Sequence, residues 1–93
     1  MPLLNANDIR IKLEKQAGWF YSDNHIIREF QFKDFKDVLS FVNKVGEAAE
    51  VLDHHPDILM HSWNKVKISI TTHSERGITE KDFLLAEKIE SLL

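Results

Sequence analysis

The chain has no cysteine at all. Disulfides and thiolate metal sites are therefore excluded. It has only two prolines and three glycines, so each marks a particular place in the chain. No apolar run approaches the length of a membrane span. There is no excess of basic residues: the net charge is −3 with histidines neutral. Phosphate-backbone binding needs a basic patch, so no direct nucleic-acid partner is expected, and no membrane partner either. Internal repeats, low-complexity segments and linkers are missing too. The first residues, Met1 to Asn5, lack a basic stretch followed by a long apolar core. No signal peptide is read there, and a cytoplasmic protein is the expectation.

What remains is an ordinary globular composition, 43% hydrophobic and 29% charged. Residues 1–93 suit one domain rather than two. A chain of this size buries roughly 60–70% of the surface exposed when unfolded, enough for one core without staples.

Asn5 reads as an N-cap, with Leu4 and Ile9 as a hydrophobic staple. Ile9, Leu13 and Ala17 share a helical face, and Gly18 is the stop. Trp19 to Ser22 suits a strand, Asp23-Asn24 a turn, and Ile26 to Phe32 a second strand, together a hairpin. Asp34 to Leu52 is the clearest helix. Phe35, Val38, Leu39, Val42, Val45, Ala49 and Leu52 recur there at helical spacing. Gly46 in its interior suggests a close helix–sheet contact. Ile58 to Ser62 and Lys65 to Thr72 read as a second hairpin around Trp63-Asn64. In its latter strand Val66, Ile68 and Ile70 face the core. Parity puts His73 on the other side. Ser74 to Gly77 is a loop. Thr79 caps a last helix, with Asp82 at its third position and a stripe of Leu85, Ala86, Ile89, Leu92 and Leu93. The order predicts an α+β fold: a four-stranded antiparallel sheet with three helices packed on one face.

The chemistry concentrates in His54-His55-Pro56 and in His73. Proline disfavours helical geometry at the residue before it, so the histidine pair occupies a helix exit. Histidine is the side chain whose ordinary pKa lies nearest neutrality, so three in reach of one pocket could give and take protons there. Glu50 precedes His54 by four residues, which places both on one helical face. A carboxylate there would accept a hydrogen bond from one imidazole nitrogen and fix the tautomer, setting His54 up as a proton donor. His55 would point about 100° away if still helical, and so play a different part. Simpler readings exist for each residue. A His-His-Pro can merely end a helix, Asp82 can merely cap one, and Trp19 and Trp63 can merely pack in the core. His25 and His61 read as surface residues. Adjacent histidines face one ion poorly together, and no HExxH pattern is present, so no metal is expected.

The run from Glu50 to Asp82 resembles the signature of the pterin-4a-carbinolamine dehydratases. That pattern is an acidic residue, three residues, His-His-Pro, five or six residues, an aromatic, nine residues, a histidine and a later aspartate. Here it reads Glu50, His54-His55-Pro56, Trp63, His73 and Asp82. The likeness extends upstream through Gly18-Trp19 and the stretch from Phe30 to Phe35. It implies the α+β fold already predicted, and an enzyme that uses neither metal nor organic cofactor. Such an enzyme removes water from a 4a-hydroxytetrahydropterin to give the quinonoid dihydropterin, in tetrahydrobiopterin recycling or related pterin metabolism. It assigns His54 and His73 to acid–base work, with Glu50 orienting His54. His55 and Thr72 would hold the pterin, Asp82 would sit at the pocket rim, and Trp19 could border it. The implied partners are a small-molecule pterin and further copies of the chain, as homodimer or homotetramer. Animal members of the family also serve as dimerisation cofactors of a homeodomain transcription factor. The alternative is therefore a non-catalytic, dimeric protein-binding module on the same scaffold.

Overall fold

The computed structural model describes residues 1–93. Helix α1 (Ala6–Glu14) starts at Asn5, whose side chain accepts the Asp8 amide. Strands β1 (Phe20–Ser22) and β2 (His25–Gln31) are joined by Asp23-Asn24, both with positive φ. That is the backbone of the two-residue hairpin turn that matches strand twist. Helix α2 (Phe35–Leu52) starts at Asp34, which caps the Asp37 amide. Strands β3 (Asp57–His61) and β4 (Lys65–Ile70) form the second hairpin, and α3 (Glu80–Glu90) closes the chain.

The four strands make one antiparallel sheet in the order β1-β2-β4-β3. The two hairpins meet along β2 and β4, with Ile26 opposite Ile70, Arg28 opposite Ile68 and Phe30 opposite Val66. These rows put Ile26, Phe30, Val66, Ile68 and Ile70 on one face, where all are buried. The α2 residues Val38, Phe41 and Val45 and the α3 residues Phe83, Leu85, Ala86 and Ile89 pack over them. Leu4, Ile9 and Leu13 add α1 at the margin. The opposite face carries Ile27, Glu29, Gln31, Lys65, Lys67, Ser69, Asp57, Leu59 and His61, and none of these is buried. The sheet is thus covered on one side only, as alternation of apolar and polar residues along β4 requires. No helix is long and apolar enough to cross a membrane.

Several details differ from the sequence reading. Helix α1 ends at Glu14, short of Ala17 and Gly18, and Leu93 is exposed. Gly46 makes no close contact, because a Cβ there would meet nothing within 4 Å. Only part of the α2 stripe enters the core, and Phe35, Leu39 and Leu52 remain exposed. Strand β4 ends at Ile70, not Thr72. The chain then makes an isolated bridge between Thr72 and Gly77 around a 3-10 turn, His73–Glu75. Strand parity therefore says nothing about where His73 points.

Candidate active site

The end of α2 decides the geometry. Asp53 adopts the left-handed conformation, φ 49° and ψ 45°, and its N–H bonds back to Ala49 and Glu50. The His54 N–H reaches Ala49 O at 3.1 Å. This is the helix stop in which the chain reverses over its own last turn. The reversal comes before His54, so the four-residue spacing from Glu50 no longer means a shared helical face. Glu50 pairs instead with His55, through Nε2. The expectation that Glu50 orients His54 is corrected here, and the left-handed Asp53 is the reason.

The carboxylate that holds His54 is Asp82. Its Oδ1 lies 2.7 Å from His54 Nε2. An ionised carboxylate only accepts, so facing one, Nε2 is the nitrogen that carries the hydrogen. Asp82 is not at a rim. It is fully buried at the third position of α3. Its Oδ2 accepts from the Thr79 backbone N–H and from Thr72 Oγ1, both at 2.8 Å. Three donors and the positive end of α3 surround this carboxylate. No buried side-chain polar atom anywhere in the chain lacks a partner.

Thr72 is likewise buried, and its hydroxyl is committed to Asp82 and Thr79. Its side chain is therefore not presented to a ligand; its position beside the site is. His73 follows at once and is exposed. Asp82 thus ties together the α2 exit that carries His54 and the turn that carries His73. His54 is 12% exposed at its side chain and His55 is 57% exposed. The arrangement is a half-buried imidazole backed by a carboxylate, with one exposed imidazole beside it in sequence and another across the Asp82 link. Imidazoles are side chains that can give and take protons.

A cavity of about 630 Å³ lies elsewhere, between α1, the β1–β2 turn and Arg76 to Ile78. None of the three histidines lines it. Trp19 is core: it is buried, edge-on to Phe30, and its Nε1 donates to Glu90. Trp63 is 63% exposed at the β3–β4 turn, where Ser62 and Trp63 both have positive φ. His61 pairs with Glu29 on the open sheet face, and His25 bonds to Asp23 O. Thr79 is the residue that sequence reasoning took only as a cap. Its hydroxyl bonds Thr72 as well as the Lys81 amide. The helix-start pattern announced the cap but gave no sign of the tertiary contact.

Known proteins share both the sequence and this fold. The family model described as Pterin 4 alpha carbinolamine dehydratase matches residues 2–92. A relative from Sulfolobus acidocaldarius is 42% identical over 89 residues, 96% of this chain and 97% of its own length. One from Alkaliphilus metalliredigens is 49% identical over 91 residues, covering 96% and 81%. Both are provisionally named pterin-4-alpha-carbinolamine dehydratases. The crystal structure of a transcriptional coactivator/pterin dehydratase from Brucella melitensis superposes with a TM-score of 0.91, at 34% identity over 98% of each chain. A pterin dehydratase-like RuBisCO assembly factor of the alpha-carboxysome shares the fold, with a TM-score of 0.65 and 16% identity over 80% of this chain and 84% of its own. A match that runs nearly end to end, in sequence and in fold alike, leaves one assignment: this chain belongs to the pterin-4a-carbinolamine dehydratase family.

Proposed function

We propose that the protein is a cytoplasmic dehydratase that converts a 4a-hydroxytetrahydropterin to the quinonoid dihydropterin and water, in tetrahydrobiopterin recycling or related pterin metabolism. The observation that carries this reading is the Asp82 carboxylate holding His54 Nε2 while it is tied through Thr72 to the His73 turn. The reaction breaks the C4a–O bond as the N5 electrons form the C4a=N5 double bond. The departing hydroxyl takes a proton and leaves as water, and N5 gives up its hydrogen. One proton in and one proton out need an acid and a base, and two imidazoles can fill both roles near neutral pH. His54 and His73 are that pair. With Nε2 fixed on Asp82, His54 presents Nδ1 to the substrate. His55, steadied by Glu50, binds and orients the pterin.

The test is turnover of a synthetic 4a-hydroxytetrahydropterin, followed as quinonoid dihydropterin above the spontaneous rate. General acid–base groups typically contribute about 10²- to 10⁴-fold. His54→Ala and His73→Ala should each lose that much at saturating substrate, with circular dichroism unchanged. The two losses should be less than additive, since one proton-transfer partner is of less use without the other. His55→Ala should raise KM more than it lowers kcat. Folded His54→Ala and His73→Ala proteins with wild-type turnover would remove both residues from the mechanism. The reading would then pass to a protein-binding module. That alternative is supported by the solved relative described as a transcriptional coactivator/pterin dehydratase. It is supported also by the exposed Phe35, Leu39, Val51 and Leu52 of α2.

A further inference from the structure

We infer that Thr79, the N-cap of α3, is a positioning residue for His54, acting through Thr72 and Asp82; the kinetic part of this rests on the dehydratase reading. Each threonine hydroxyl has one hydrogen to give and can accept others. Asp82 Oδ2 accepts, so the Thr72 hydroxyl spends its hydrogen there, at 2.8 Å. Thr72 Oγ1 also lies 2.8 Å from Thr79 Oγ1. With its own hydrogen committed, Thr72 must accept, and Thr79 must donate. Thr79 Oγ1 in turn accepts the Lys81 amide at 3.2 Å. One direction runs through the whole chain: Lys81 N–H to Thr79, Thr79 to Thr72, Thr72 to Asp82 Oδ2. His54 Nε2–H arrives at the other carboxylate oxygen.

Thr79, Thr72 and Asp82 are all buried, Thr79 and Asp82 completely. Water does not compete for these bonds, so the order of donors is fixed by the protein alone. The Thr79 backbone N–H adds a second donor to Oδ2. Together they pin the carboxylate plane, and with it the ring that the carboxylate holds. A helix cap needs only the bond to the Lys81 amide. The bond to Thr72 adds nothing to capping, and it is the one that leads to the imidazole.

The prediction has two independent readouts. In the free protein, ¹⁵N NMR should show His54 as the Nε2–H tautomer. Thr79→Val and Thr72→Val should each speed exchange of the His54 Nε2–H with solvent, because the Asp82 carboxylate is held less firmly, and Thr79→Ser, which keeps the hydroxyl, should restore slow exchange. In turnover, Thr79→Val should lower kcat about tenfold, the rate equivalent of one ordinary hydrogen bond, with KM little changed. Added to Thr72→Val, it should lower kcat by less than about twofold, because the link through which it acts is already cut. Should Thr79→Val fail to fold, Thr79→Gly replaces it. Glycine is a tolerated N-cap that keeps the backbone donor but has no hydroxyl. A folded Thr79→Val or Thr79→Gly protein with wild-type exchange of the His54 Nε2–H would overturn the inference. So would full additivity with Thr72→Val. Absence of turnover in the wild type alongside faster exchange of the His54 Nε2–H in the variants would reject the dehydratase reading and leave the positioning role standing.

Discussion

At the scale of single residues, two carboxylates beside two adjacent histidines have opposite surroundings. Asp82 is fully buried and accepts three hydrogen bonds. Glu50 is 76% exposed at its side chain and meets only His55. Asp82→Asn puts a donating amide among buried donors, so one of them is left unpaired or the His54 ring must change tautomer. It should destabilise the fold by about 2–3 kcal/mol, read from the urea midpoint at constant slope. Glu50→Gln should change stability by less than about 0.5 kcal/mol, because an exposed pair is screened by water and salt. Equal effects of the two substitutions would mean that burial does not set the hierarchy. The sequence located all of these residues but paired them wrongly. Spacing along a helix is legible only while the helix lasts, and the left-handed Asp53 ends it one residue before His54. Asp82 was legible as the third residue of a capping box. Its second bond partner comes from a segment distant in the chain, and local pattern cannot carry that information.

Among the elements, the starts were readable because capping is local chemistry. Asn5 and Thr79 accept backbone N–H groups as the caps they were read to be, and Asp34, read as the first helical residue, proves to be the cap of α2. Strand ends were less so. The turn after Ile70 depends on the bridge from Thr72 to Gly77, which brings together residues on either side of the 3-10 turn. The glycines show the same division. Gly46 sits inside α2 with open space where a side chain would go. Gly46→Ala should raise stability by about 0.5–1 kcal/mol through helix propensity and a less flexible unfolded chain. Gly18 has φ +91°, and a Cβ there would lie 2.8 Å from Arg28 Nε. That arginine stacks over Phe30 and pairs with Glu90, which also receives Trp19 Nε1. Gly18→Ala should therefore destabilise, by about 1–2 kcal/mol. Thermal melts of the two variants should move in opposite directions. A shift of both in one direction would contradict the reading of the two sites.

For the molecule as a whole, exposed apolar residues occur on several elements. Phe35, Leu39, Val51 and Leu52 lie on α2, and Leu59 and Met60 lie on the edge strand β3. An open edge and an apolar helix face are surfaces on which a second copy can close a two-fold pair. A homo-oligomer, most simply a dimer, is expected by sedimentation at micromolar concentration, and a pure monomer would contradict this. The fold class was legible at this scale because each hairpin and each amphipathic face can be read from neighbouring residues. Which hairpin edges meet was not, since that pairing is made between strands on either side of α2. The same central pairing has a consequence for how the chain assembles. The β2–β4 ladder joins Ile26 to Ile70 and Gln31 to Lys65 only after all of α2 has been looped back. Each hairpin can form on its own, but neither can bury its apolar face until that long loop closes. Closure of distant contacts slows folding more than any local step. Ile68→Val, at the centre of the ladder, should thus slow refolding as well as hasten unfolding, whereas a change in α1 should act almost wholly on the unfolding rate.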